Sequence, residues 1–224
     1  MKHFLLLIIS ILFVSCGKEK SVLLPEVSHS KITEISDVSP AYLFYDITQK
    51  DSVELNRKNL ISTTNWLVNI DKRLTLNQVI PHITFLQNKK KKASHKNKEA
   101  RNYYTCNNTN KTTLGFIDFT DVEYIKTNKN SVNSLLHQDI NSQFIFFSKT
   151  GELFIITPDL EPFIKETTKD HLFEDLRATY SSGSTISLRF SKDLTFQEYI
   201  SIKSILENIA PEDLNIAHQE FIQD

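Results

Sequence analysis

Two thiols, a lysine run and an acidic cluster are the side chains here whose types could do chemistry. Cys16 and Cys106 are the only cysteines. A cysteine nucleophile needs a histidine base and an orienting group around an accessible thiolate. His29, His82, His95, His137, His171 and His218 offer neither an i, i+4 pair nor HExxH, so no metal site is expected. Asp159, Glu161, Glu166, Asp170, Glu174 and Asp175 are the right types for a paired-carboxylate acid and base. Their spacing spreads them along a turn and a helix face, where solvated surface is the expected role. Lys89, Lys90, Lys91, Lys92, Lys96, Lys98 and Arg101 set seven cations against one anion, Glu99, within thirteen residues. Such a run suits an anionic surface, and with Tyr103 and Tyr104 beside it imitates a nucleic-acid patch. With only four glycines, no GxGxxG and no Walker A, the chain has no phosphate-cradling loop. Neither a cofactor nor a small-molecule substrate is expected.

The chemistry of Cys16 is set by what precedes it. Met1 to Cys16 reads MKHFLLLIISILFVSC, one cation followed by an apolar run of about eleven residues. That is roughly half the ~20 residues a membrane-crossing helix needs, and matches a secretory signal. Phe13-Val14-Ser15 before the cysteine resembles the lipobox of bacterial lipoproteins, with Phe13 departing from the commoner Leu. The resemblance implies cleavage after Ser15, a thioether-linked diacylglycerol on Cys16 and acylation of its new amino terminus. Each buried methylene contributes about 0.8 kcal/mol, so several acyl chains hold the protein on a membrane. Gly17 is not the Asp that marks inner-membrane retention in some enterobacterial lipoproteins, so the outer membrane, facing the periplasm, is the expected address. Export argues against a nucleic-acid partner. The lysine run is left with three readings: a solvated loop, contact with lipid or glycan phosphates, or docking on an acidic surface. Cys106 is then the one remaining thiol, and no intramolecular disulfide forms.

These residues must be positioned by a fold, and 224 residues at 40% hydrophobic and 24% charged suit one sizeable core or two small ones. The formal net charge of −1 hides an asymmetry: residues 1–117 hold 17 Lys+Arg against 9 Asp+Glu, and residues 118–224 hold 9 against 18. Residues 16–40, rich in Ser, Pro and charge, read as a lipidated tether spanning roughly 25 to 30 Å. The strongest organising signal is a repeat at an offset of 120 residues, Trp66 to Gln87 against Ile186 to Glu207. Lys72, Leu74, Thr75, Ile80 and Leu86 recur as Lys192, Leu194, Thr195, Ile200 and Leu206. Each copy is an alternating strand, a charged turn and a helix opened by a capping box, Thr75 with Gln78 and Thr195 with Glu198. Pro81 is expected to kink the first helix. Leu114 to Phe119 and Leu214 to Ile222 are expected to close the two copies. Ala41 to Asp46 reads as a strand; Gln143 to Phe147 and Leu153 to Ile156 form a hairpin, and Leu172, Phe173, Leu176 and Tyr180 face one side of a helix.

From residue 143 onward the order is hairpin, helix, strand, helix, strand. With its Lys149-Thr150-Gly151 turn, Leu-rich helix, Ser191-Lys192-Asp193 turn and Phe196 to Tyr199 helix start, this stretch resembles the periplasmic domain of the ExbD/TolR family. The resemblance covers about the last 80 residues and, more weakly, residues 41–125. It implies binding to a partner protein or the cell wall. That family's membrane helix carries an acidic residue for proton-driven work, and the apolar run here has none, so a proton-coupled role does not transfer.

The expected organisation is a signal peptide (1–15), the tether (16–40), a degenerate αβ module (41–125) with a basic loop at 87–113, a linker (126–142) and an ExbD/TolR-like module (143–224). The fold class is α+β, two small βαβ-type modules. The expected function is that of a lipid-anchored envelope protein with a non-enzymatic binding or scaffold role, accessory to envelope transport or in contact with peptidoglycan. The alternative is an envelope hydrolase using Cys106 or paired carboxylates.

Overall fold

The computed structural model describes residues 20–127, 142–158, 160–180, 183–209 and 214–223; the signal peptide, Cys16 and most of the expected linker lie outside them. The chain is mixed α/β, with two six-stranded sheets and, among the described residues, three α-helices. The first sheet holds β1 (Glu26–Val27), β2 (Val38–Tyr45), β3 (Val53–Asn56), β4 (Asn65–Ile70), β5 (Asn102–Asn108) and β6 (Thr113–Asp118), with α1 (Leu76–Lys91) between β4 and β5. β4 lies between β2 and β5, parallel to both, while β3 and β6 are antiparallel on the flanks. The second sheet holds β7 (Glu123–Thr127), β8 (Ser142–Phe147), β9 (Leu153–Ile156), β10 (Ile164–Thr167), β11 (Thr185–Ser191) and β12 (Ile216–Gln223). Its order is β10-β9-β8-β11-β12-β7, with α2 (Leu172–Thr179) before β11 and α3 (Phe196–Ile209) after it.

The alternating strands form because they have one dry face. Trp66, Val68 and Ile70 of β4 are buried, as are Ile186, Leu188 and Phe190 of β11, and all belong to one apolar cluster that runs through both halves. Both capping boxes close. The Thr75 amide donates to Gln78 Oε1 at 2.8 Å, and the Thr195 amide to Glu198 Oε2 at 2.8 Å.

The two helix starts also meet. Thr75 and Thr195 form an antiparallel bridge, and the hydrogen bonds around it are reciprocal. Leu76 N–H donates to the Leu194 carbonyl at 2.9 Å and Asn77 N–H to Lys192 at 2.8 Å; Phe196 N–H donates to Leu74 at 2.6 Å and Gln197 N–H to Lys72 at 3.1 Å. Each bond maps onto its counterpart by the 120-residue offset, so the repeat is joined through a local pseudo-twofold axis. Amides that a helix start leaves without intrahelical partners are supplied by the other half.

α1 is continuous through Pro81 to Lys91. Three expectations are corrected. The strand after α1 that pairs parallel with β4 is β5, with 113–118 returning antiparallel beside it, so the basic connection shrinks from 87–113 to residues 92–101. The strand β7 occupies residues assigned partly to the first module and partly to the linker, and pairs with β12 of the second sheet. Residues 20–40 are not a free tether: Lys20 pairs with Asp46 and Glu54, and the Leu23 amide donates to Asp71 at 3.3 Å. Further along, the Asn107 and Thr109 amides donate to the Pro25 and Val27 carbonyls at 2.8 and 2.9 Å. A polar composition did not prevent packing, because the segment is held mainly through its backbone.

Gly115 makes room for this strap. A Cβ there would meet the Ser30 Cβ at 2.6 Å, while Ser30 Oγ accepts from the Phe116 amide at 3.1 Å. Gly115→Ala should therefore destabilise the chain by about 1–3 kcal/mol in urea unfolding; a shift near zero would mean the strap yields without cost.

Candidate functional site

The lysine run sits where α1 ends, beside the starts of β4 and β5. Leu76, Val79, Ile80, Ile83 and Leu86 face the core, which turns Phe85, Asn88, Lys89 and Lys92 outward. Phe85 stays 46% exposed under the Arg57 guanidinium, 4.9 Å from its ring centre. The loop at 57–64 folds against Trp66, whose Nε1 donates to the Ile61 carbonyl at 2.7 Å, and leaves Ile61 56% exposed. Between loop and helix lies a groove of about 760 Å³, lined by Leu60, Trp66 and Phe85 and rimmed by Lys89 and Lys92. Ser62 divides it from a smaller recess of about 230 Å³ lined in part by Lys91, Lys96 and Lys98. The Ser62 hydroxyl donates to the His95 carbonyl at 3.0 Å, strapping the 92–101 connection to the groove wall.

The seven cations do not act alike. Lys90 turns inward: its Nζ donates to the carbonyls of Thr64 and Arg101 at 3.2 and 3.0 Å and to Asn102 Oδ1 at 2.9 Å, and lies 5.0 Å from the centre of the Trp66 ring. Burial pushes it down to about 8. Arg101 pairs with Asp118 and, at 2.8 Å, with Asp121. Lys89, Lys91, Lys92, Lys96 and Lys98 are exposed and form the free positive rim. Sequence reasoning found the cations but missed the apolar floor; the available signal was Phe85 on the outward face of a helix whose other large side chains point in.

The other candidates are dispersed. Cys106 is fully buried, and burial together with the negative charge of Glu207 pushes its thiol well above the usual range. A thiol so placed lacks both the thiolate and the access a nucleophile needs. Glu161, Glu166, Asp170 and Glu174 are exposed, while Asp175 accepts from Lys165 at 2.6 Å and Thr167 at 2.5 Å. Asp159 and His137 lie outside the described residues. Among the described residues, no group of three or more His, Cys, Asp or Glu is arranged to hold a metal ion.

Near the middle of the molecule runs a buried polar chain that joins the halves. Tyr104 of β5 and Tyr124 of β7 share a hydrogen bond at 2.7 Å, and Tyr124 shares another with Tyr199 of α3 at 3.1 Å. Tyr199 Oη donates to Glu220 of β12 at 2.7 Å, and Lys203 Nζ donates to the other Glu220 oxygen at 2.6 Å. Burial raises Tyr104 and Tyr199 well above the ordinary tyrosine range, so both remain hydroxyl donors.

Compared with known proteins, the chain matches no family model, no curated protein and no solved structure.

Proposed function

We propose that this is a lipid-anchored cell-envelope protein, acylated at Cys16, that works by binding through its lysine-rimmed groove. Its partner is an anionic component of the envelope, peptidoglycan or an acidic protein surface. One observation carries the reading: Lys89 and Lys92 rim an apolar floor of Leu60, Trp66 and Phe85. Such a surface favours a ligand with acidic groups and an apolar or sugar face. The burial of Cys106 weighs against the hydrolase alternative. The reading of two copies of one βαβ-type module is supported by matching orders: β3-β2-β4-β5 in the first sheet and β9-β8-β11-β12 in the second, with the same parallel and antiparallel senses. Kinship of the second copy with ExbD/TolR domains is supported by the succession of hairpin, α2, β11, α3 and β12, into which this chain inserts one further strand, β10, antiparallel to β9 and ahead of α2.

Cosedimentation of the full chain with isolated peptidoglycan sacculi, alongside crosslinking to neighbours in intact cells, tests the reading. Lys89→Glu with Lys92→Glu should weaken the captured interaction by about tenfold, equivalent to 1.4 kcal/mol, and flatten its salt dependence. Binding to sacculi or to a crosslinked partner that is indifferent to both charge reversal and salt would overturn it.

A further inference from the structure

The geometry points to a membrane-contacting face at the β2–β3 end of the first sheet, where Ile47, Tyr45 and Leu23 lie against the lipid surface and the lysine-rimmed groove is held away from it. This inference rests on acylation of Cys16. Lys20 lies four positions after Cys16, and a chain reaches at most ~3.6 Å per residue, so the Lys20 Cα lies within about 14 Å of the Cα of the anchored cysteine. Lys20 is itself fixed on Asp46 and Glu54, at the end of β2 and in β3. The body therefore cannot hover at the 25 to 30 Å expected of a long tether.

The surface beside that attachment point suits a bilayer. Ile47 is 74% exposed at the tip of the β2–β3 connection, with Leu23 at 45% and Tyr45 at 38% nearby. The Arg73 guanidinium stacks on the Tyr45 ring at 4.6 Å while pairing with Asp71 at 2.8 Å. Asp46 and Glu54 share Lys20 and Asp71 pairs with Arg73, so each carboxylate has a cationic partner and one net negative charge remains among these five groups, with Lys50 and Asp51 exposed in the same connection. An aliphatic tip flanked by a tyrosine and paired charges is the composition of a membrane–water interface.

The same geometry orients the groove. β2, β4 and β5 run in one direction, and α1, starting after β4, returns the opposite way. Sixteen helical residues at 1.5 Å each carry its last turn about 24 Å back toward the strand starts. Lys20 and Ile47 lie at one end of the sheet, and Lys89 and Lys92 at the other. With the Ile47 end on the lipid, the free cations address the periplasmic space and not the phosphates of their own leaflet.

The test uses the full acylated chain in phosphatidylcholine–phosphatidylglycerol vesicles, with a nitroxide on Ile47→Cys or Lys92→Cys. Buried Cys106 leaves the introduced thiol as the labelling site, checked on the unsubstituted chain. The ratio of collisions with lipid-soluble oxygen to collisions with a water-soluble nickel chelate should be several-fold higher at 47 than at 92. Equal ratios, or a higher ratio at 92, in protein whose intact mass carries the acyl groups, would overturn the orientation alone. An intact mass without acyl groups would remove the anchor reading, and the orientation with it.

Discussion

Lys203→Ala should lower the unfolding free energy by about 3–5 kcal/mol, measured by urea denaturation at neutral pH. Glu220 is almost fully buried and Lys203 nearly so, with Nζ 2.6 Å from Oε1. Removing the ammonium leaves a carboxylate that is 1% exposed, at the wall of a cleft, with Tyr199 as its remaining side-chain donor among the described residues, and an uncompensated buried charge is the costly outcome. Tyr199→Phe should cost less, about 1–2 kcal/mol, because Lys203 still neutralises Glu220. The double variant Lys203→Met with Glu220→Leu should regain most of the loss, since both charges leave together. A single lysine variant as stable as the parent would mean that water reaches Glu220 in the folded variant and replaces the ammonium.

Glu207→Gln should change the shape of the pH–stability curve. Glu207 lines a cleft of about 320 Å³ with Asp118, Lys203 and His218. Burial raises it from 4.5 to about 7, against the pull of Lys203 and Lys31 and with a push from Asp118. Between those values the folded chain holds a proton that the unfolded chain has released. Its contribution to stability therefore falls as pH rises from about 4.5 to 7, and the full penalty is present above that range. A shift of this size corresponds to about 3 kcal/mol at most. The glutamine variant should match the parent near pH 4, exceed it by about 1–3 kcal/mol at pH 8, and lose the decline between. Parallel curves for the two proteins across that interval would show that Glu207 titrates normally.

How far the sequence reveals this molecule depends on how local the determining physics is. The strands around Trp66 and Ile186, the two capping boxes and the hairpin at Gly151 are readable because each is decided within a few residues: alternation, a hydroxyl three before an amide or carboxylate, a glycine with φ of 83°. β5, with the composition NYYTCNN, and β7 are not readable that way. The partner of β7 lies far along the chain, as in the Glu123–Gln219 pairing, and polar side chains hide the role of β5. Residues 20–40 mislead for a related reason, since backbone hydrogen bonds are blind to Ser and Pro content. At the groove, the cations are evident from composition. Which of them point inward depends on rotation about α1, where a step of one position takes the chain from half-buried Lys90 to exposed Lys91.

The reciprocal bonds at Thr75 and Thr195 also govern the order in which the chain becomes native. A polypeptide is synthesised amino end first. When residues 66–91 have emerged, α1 still lacks the carbonyls of Lys192 and Leu194 that its first amides require. Those groups arrive more than a hundred residues later, so the first half waits on the second. The two halves therefore mature as one cooperative unit, with synthesis of the distal half setting the earliest moment at which the proximal one is complete.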